Sequence, residues 1–256
     1  MTADLVYGRR AVREALRGRR QVLALHASER AIRAEAWLRD EPGVRLRVDT
    51  ERALTALAGT PDHQGVVARV EPYPYADAAE LARAEEPLLV CLDQVTDPRN
   101  LGAVARSAEG AGATGIVLPA HQSARVTPAV ARASAGAVEH LPIAVVPNLA
   151  RFLAEVKGPD LWVYGADSTA ATPMWQTDLK GGVALVFGAE GKGLRPLVRR
   201  QCDAAVSIPL SGTVESLNVS VAAAVLLYEA RRQRGSAPVA PGVPGPQQSS
   251  TIGTDT

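Results

Sequence analysis

Three stretches of the chain combine residues able to do polar chemistry with glycines that leave room for a ligand. The first, Asp93–Asn100, ends on Asn100, with Arg106 a little beyond it. The second is Gly188-Ala-Glu-Gly-Lys-Gly, in which Glu190 sits among Gly188, Gly191 and Gly193. The third, Ser211–Asn218, holds Gly212, Ser216 and Asn218. A guanidinium binds a phosphate or a developing oxyanion through two parallel N–H bonds, and neutral amides and hydroxyls orient a polar substrate. Each residue alone also has an ordinary explanation. Arg106 fits a helix surface, Ser216 and Asn218 fit helix caps, and the glycines fit tight turns. His26, His63, His121 and His140 show no metal-ligand spacing, so no metal is expected. Cys91 and Cys202 lie in apolar runs and read as buried thiols rather than as a disulfide or half a zinc site.

Each stretch has the same kind of neighbours. Leu88–Leu92 reads as a buried strand before the first. Asp97-Pro98 then starts a helix, with acid at the N-cap and proline in the first turn. Leu101, Val104, Ala105 and Ala108 form its packing face. Arg106 lies off that face, one turn after Gly102, whose missing side chain predicts space beside the guanidinium. Val183–Phe187 is an uninterrupted apolar strand before the second stretch. Val206, Ile208 and Leu210 alternate as a short strand ending at a proline would, before the third. From Val219 the period turns helical, with Val219, Ala222, Ala223, Leu226 and Leu227 on one face. Asn218 or Ser216 is its cap, and Arg231, Arg232 and Arg234 close it. Between these lie a helix at Pro128–Ala137, a strand at Ile143–Val146, a helix at Leu149–Lys157, a strand at Leu161–Tyr164 and a helix opened by Pro196. Alternating strands and helices predict an α/β fold with a mostly parallel sheet, whose ligands bind at the carboxyl ends of strands. The three polar stretches fall at such ends.

Two tempting motifs fail on context. Gly110, Gly112 and Gly115 spell G-x-G-x-x-G, but a dinucleotide fingerprint follows a strand and opens a helix, and here the order is reversed. Gly188–Leu194 contains Gly-Lys without the spacing or hydroxyl of a phosphate-binding P-loop.

Residues 1–70 read as a separate small α/β unit. Helices are expected at Ala11–Leu16, Glu29–Asp40 and Glu51–Ala58, with strands at Val22–His26, around Val44, Leu46 and Val48, and at Val66–Val70. His63-Gln64-Gly65 forms the turn before the last strand. Residues 71–86, with their prolines and five acids, read as a linker carrying at most a helical turn. The second unit then spans 87–234, and the Pro-, Gly- and Ser-rich tail 235–256 is expected to be disordered. The overall charge of +1 hides a front unit with thirteen arginines against nine acids, a net +4, and a linker of net −4. A basic front suits a polyanion, although a solvated surface would look the same. With 46% hydrophobic residues, no apolar run near the roughly 20 residues that cross a bilayer, and no signal-peptide pattern, a cytoplasmic globular protein is expected.

Together, Asn100-Leu-Gly-Ala with Arg106, Phe187-Gly-Ala-Glu-Gly-Lys-Gly, and Ile208-Pro-Leu followed by Ser216-Leu-Asn-Val-Ser resemble the three motifs of the SpoU (TrmH-like) ribose 2′-O-methyltransferases. Tyr7-Gly8 before a helix and His63-Gln64-Gly65 before a strand extend the resemblance to the front unit, so that it covers about residues 5–234. The resemblance implies an α/β-knot (SPOUT) domain and a homodimer formed through it. It implies S-adenosylmethionine bordered by Gly188, Ile208 and Leu217, with Leu118, Phe187, Ala189, Gly191 and Leu210 around them. It implies a reacting site of Asn100, Arg106, Glu190, Ser216 and Asn218, and a front domain that holds RNA, most simply 23S rRNA at a guanosine. A tRNA or an antibiotic-resistance rRNA site is the alternative target. Two roles stay open for Arg106, general base or phosphate and oxyanion clamp, because a guanidinium gives up its proton only with difficulty. A non-catalytic RNA-binding protein on the same scaffold is the competing class, and an oxidoreductase would rest only on the misplaced glycines.

Overall fold

The computed structural model describes residues 3–39, 43–189 and 191–235. The front unit contains β1 (Asp4–Tyr7), α1 (Arg9–Arg17), β2 (Val22–Ala27), α2 (Glu29–Ala34), β3 (Leu46–Val48), α3 (Glu51–Ala58) and β4 (Val66–Val70). Its four-stranded sheet runs β1-β4-β2-β3, with β4 antiparallel to both neighbours and β2 parallel to β3. A short helix α4 (Ala78–Ala82), capped by the Asp77 carboxylate, follows in the connecting segment.

The second unit alternates as expected: β5 (Leu88–Leu92), α5 (Pro98–Ala111), β6 (Gly115–Pro119), α6 (Pro128–Ala133), β7 (Ile143–Val146), α7 (Leu149–Val156), β8 (Trp162–Ala166), β9 (Val183–Phe187), α8 (Pro196–Arg199), β10 (Ala204–Val206) and α9 (Val219–Gln233). Its six-stranded sheet has the order β10-β8-β9-β5-β6-β7, and every pair is parallel. Strands β5 and β9 are buried throughout, as central strands covered on both faces must be. Leu88, Val90 and Leu92 point into the layer of α5 and α9, whereas Leu89 and Cys91 point into that of α7 and α8. From β5 the chain winds outward to β6 and β7, then crosses back to β8. The carboxyl ends of β5 and β9 therefore flank the point where winding reverses, the usual place for a ligand crevice in such sheets.

Several expectations need correction. The front sheet gains β1, too short to show a period and defined by its pairing with β4. The helix expected over Glu29–Asp40 stops at Ala34, because Glu35 is extended (φ −127°, ψ 96°). Its carboxylate accepts from Arg9 and from the Trp37 indole N–H instead. A 3₁₀ turn at Ala36–Leu38 follows, and Asp40 lies outside the described residues. The helix expected over Pro128–Ala137 stops at Ala133, where the Ser134 hydroxyl bonds back to Ala131 O and Ala135 and Gly136 take positive φ. The strand expected over Val206–Leu210 is instead Ala204–Val206. Beyond it Ser207 pairs with the Thr172–Met174 segment by single bridges rather than a ladder. The expected disorder of the tail falls on residues 236–256, outside the described ones.

The two units are locked together by groups that have left water. Arg20, its side chain 3% exposed, makes a bidentate pair with Glu139, whose side chain is fully buried, at 2.9 and 2.5 Å. The Tyr73 ring lies under the Arg20 guanidinium at 5.4 Å, and its hydroxyl donates to the carbonyls of Val138 and Leu141. Burial, and then the Glu139 charge, push the Tyr73 phenol well above its ordinary range, which keeps it a donor. His140 Nε2 meets Glu14 at 2.8 Å at the edge of this contact.

Candidate active site

The site is built on three loop ends at the carboxyl edge of the large sheet. Helix α5 begins as expected, with the Asp97 carboxylate accepting from Arg99 N at 2.7 Å and Pro98 in the first turn. Helix α9 begins on Asn218, which settles the choice of cap. Its Oδ1 accepts from Ser220 N at 2.8 Å and from Ser220 Oγ at 2.6 Å. The Asn218 amide then reaches across 118 residues of chain to donate to Asn100 Oδ1 at 3.1 Å. Two of the expected site residues are thus in direct contact at the head of two packed helices.

The second loop turns sharply out of β9. Gly193 N donates to Ala189 O at 2.9 Å, and Gly191 and Gly193 have φ of 72° and 65°, which suits residues without a Cβ. Gly188 is required for a different reason. A Cβ there would fall 2.1 Å from the Gly193 carbonyl carbon and 2.4 Å from Leu194 N, so the turn closes on its backbone. Glu190 lies outside the described residues.

A pair that the sequence reading did not single out holds this turn to the first strand. Asp93, fully buried just after β5, accepts from Arg195 N at 2.9 Å and from the Arg195 guanidinium at 2.7 Å, while its own N–H donates to Phe187 O at 2.7 Å. The signal available was a lone aspartate at a strand end in an apolar context. Its partner 102 residues away was not legible.

The remaining expected residues divide by environment. Ile208 is half-buried against the core, whereas Leu210 and Leu217 are each 37% exposed, giving apolar surface beside polar loops. Leu118 and Phe187 have their side chains in the core, so only their backbone can face a ligand. Ala189 is half-buried and Ser216 is exposed. Arg106 is exposed on α5 and forms no hydrogen bond or ion pair among the described residues. The space expected beside it at Gly102 is taken by helix α6. A Cβ at Gly102 would lie 2.5 Å from Ala133 Cβ and 2.9 Å from Ser134 N, so that glycine serves helix packing.

Burial disfavours the thiolate form of both cysteines. Burial raises the Cys91 thiol far above its ordinary range, and burial, then Asp203, push Cys202 up to about 11 against the opposing pull of Lys157 and Arg199. The misplaced glycine pattern is structural: Gly112 is the left-handed cap of α5, and Gly115 lies in β6. Among the described residues no group of three His, Cys, Asp or Glu could hold a metal, and no helix is long and apolar enough to cross a membrane.

The comparisons match both units. Residues 87–228 match the SpoU rRNA Methylase family, and residues 5–76 match the RNA 2′-O ribose methyltransferase substrate binding family. The chain is 40% identical to the putative TrmH family tRNA/rRNA methyltransferase YacO of Bacillus subtilis, over 90% of this chain and 96% of the relative. It is 45% identical to the 23S rRNA (guanosine-2′-O-)-methyltransferase RlmB of Ralstonia nicotianae, over 83% and 87% respectively. Among solved structures, the SpoU methyltransferase AviRb of Streptomyces viridochromogenes in complex with AdoMet superposes with a TM-score of 0.77 at 30% identity, covering 90% of this chain and 89% of that one. With glycine turn, paired asparagines and both units matched, this chain belongs to the SpoU rRNA Methylase family, RNA methyltransferases that use S-adenosylmethionine.

Proposed function

We propose that the protein methylates a ribose 2′-hydroxyl of a guanosine in 23S rRNA, with S-adenosylmethionine as donor. The observation that carries this is the convergence of the Gly188–Gly193 turn, Asn100 and Asn218 at the carboxyl ends of β5 and β9. The site suits the donor: the turn leaves no space for a side chain at Gly188, and Ile208, Leu210 and Leu217 offer apolar surface for an adenine ring. Several relatives are named as 23S rRNA guanosine methyltransferases, which favours that target over tRNA.

The donor, when bound, supplies a methyl already activated on a sulfonium. The protein must align the ribose oxygen, remove its proton and stabilise the charge that develops. Asn100 and Asn218 act as one unit, each orienting the other at the crevice mouth. Arg106, exposed and without an ion pair among the described residues, is available to a phosphate or to the developing oxyanion. Its role as a base would need desolvation by bound RNA. Ser216 and Glu190 complete the reacting set, and Gly188, Ala189, Gly191 and the backbone at Leu118 and Phe187 border the donor. The C-terminal segment is threaded as a knot, and the enzyme works in the cytoplasm as a homodimer. Val221 and Tyr228, seven residues apart on one face of α9 and 47% and 51% exposed, support that dimer.

The decisive experiment is transfer of label from S-adenosyl-[methyl-³H]methionine into 23S rRNA transcripts, followed by mapping of ribose methylation. Incorporation at one guanosine 2′-oxygen is expected. RNA retention without incorporation would instead favour a binding protein.

A further inference from the structure

The front unit contains a cavity of about 370 Å³ lined by Arg9, Ser28, Arg30, Glu51, Pro61, Gln64 and Gly65. Its volume is that of a small-ligand site. These residues come from the start of α1, the junction of β2 with α2, the start of α3 and the turn before β4, so four chain segments meet there.

One wall is backbone held in an unusual shape. Gln64 is a non-glycine residue at φ 54°, followed by Gly65 at φ 78°. Such conformations cost energy and persist only where the surroundings impose them. Three contacts impose this one. Arg9 N donates to Gln64 Oε1 at 3.2 Å, Arg9 Nε donates to Gln64 O at 3.3 Å, and Gly65 N donates to His63 Nδ1 at 3.0 Å. Since Nδ1 accepts, the ring proton sits on Nε2, which faces Thr55 Oγ1 at 3.0 Å. Glu51 lies 3.8 Å from Nδ1, but that nitrogen presents a lone pair, so the carboxylate is not held by the ring. At Gly65 a Cβ would come 2.6 Å from Ser28 Oγ, which seals the floor.

The chemistry of the lining is mixed. Arg30 is exposed without an ion pair among the described residues, and Arg9 shares its charge with Glu35 at 3.3 Å. Glu51 brings a carboxylate and Gln64 an amide NH₂ that no described residue accepts from. A bare phosphate site would gain nothing from a carboxylate. Two guanidiniums, a carboxylate and an amide suit a ligand that is anionic at one end and presents N–H donors at the other. A nucleotide has both ends, and an unpaired one is what proteins read in RNA.

We infer that this cavity holds one unpaired nucleotide of the RNA substrate, separate from the nucleotide that is methylated, with its phosphate on Arg30 and Arg9 and its base edge on Glu51 and Gln64. This rests on RNA being the substrate. It makes the strained turn a recognition element and gives the front unit a specific task.

The test uses the full chain with Arg30→Ala and Glu51→Gln, both at exposed positions, and 23S rRNA transcripts. Dissociation constants by filter binding are read beside the single-turnover methylation rate at saturating RNA. Arg30→Ala should weaken RNA binding about five- to tenfold and flatten its salt dependence by one phosphate contact. Glu51→Gln should weaken binding by a similar factor without changing the salt slope. Both should keep the saturated rate within about twofold and leave thermal unfolding unchanged. Parental affinity in both variants, with methylation intact, would overturn the pocket and leave the enzyme reading standing. RNA binding that depends on Arg30 in a protein that methylates no transcript would overturn the enzyme reading and support the pocket.

Discussion

At the scale of single residues, the site depends on side chains whose importance differs from their visibility. Arg106 has no structural task among the described residues, so its replacement tests chemistry alone. Arg106→Ala should lower methyl transfer by about 10²–10³-fold with donor affinity unchanged in calorimetry, the range for losing one hydrogen-bond donor to a developing oxyanion. Arg106→Lys should restore little, because an ammonium lacks the planar fork. Near-normal turnover with lysine would count against both roles for this residue. Asp93 is the opposite case, buried and fully engaged. Asp93→Asn should cost about 1.5–3 kcal/mol of stability, the range for a hydrogen bond to a charged group, since Arg195 keeps access to water at 41% side-chain exposure. The same substitution frees the Gly188–Gly193 turn, so donor affinity should fall in titration calorimetry even below the melting range.

At the scale of elements, local pattern carried much of the fold. Helix α3 and strands β5, β7 and β9 have the bounds that apolar run and period indicate. The Asp97-Pro98 start of α5 was legible because a cap is a local interaction. What failed was what neighbours decide. Strand β1 exists through β4, and Glu35 ends a helix because Arg9 and Trp37 claim its carboxylate. Gly102 looked like room for Arg106 and is instead the contact with α6, which no helical wheel of α5 alone reveals. The candidate site was legible as three polar loops, because each is punctuated by glycine and hydrogen-bonding residues. The Asn100–Asn218 contact and the Asp93–Arg195 tether were not, since each joins distant segments. The Arg20–Glu139 pair between the units was equally invisible. Arg20→Met should destabilise the protein by about 3–5 kcal/mol, because it strands a buried carboxylate. Arg20→Met with Glu139→Leu should recover most of that loss in denaturant titration, as replacement of both charges removes the desolvation cost.

At the scale of the whole molecule, the front unit and the methylase unit form one docked body through α1, Tyr73 and the Ala137–Glu139 turn. The cavity at Arg30 is therefore held at a set position relative to the crevice, which suits an enzyme that must present one ribose among many. The proposed dimer uses the outer face of α9. Tyr228→Glu, on that face and 51% exposed, should shift sedimentation from dimer to monomer and abolish methylation in proportion. Unchanged sedimentation would place the subunit contact elsewhere or leave the chain monomeric.

The pairing of Asn100 with Asn218 has a consequence for the field at the proposed reaction centre. At the opposite ends of the same helices, Gly110 lies near the Tyr228 hydroxyl and Gly112 near Arg231, so α5 and α9 run side by side in the same direction. Their peptide dipoles add, and both positive poles arrive at one spot. The first turn of α5 carries the Asp97 carboxylate, whereas the side-chain cap of α9 is the amide of Asn218. Negative charge growing on a sugar oxygen there would find a partial positive charge already in place, supplied by main chain that no point substitution can delete.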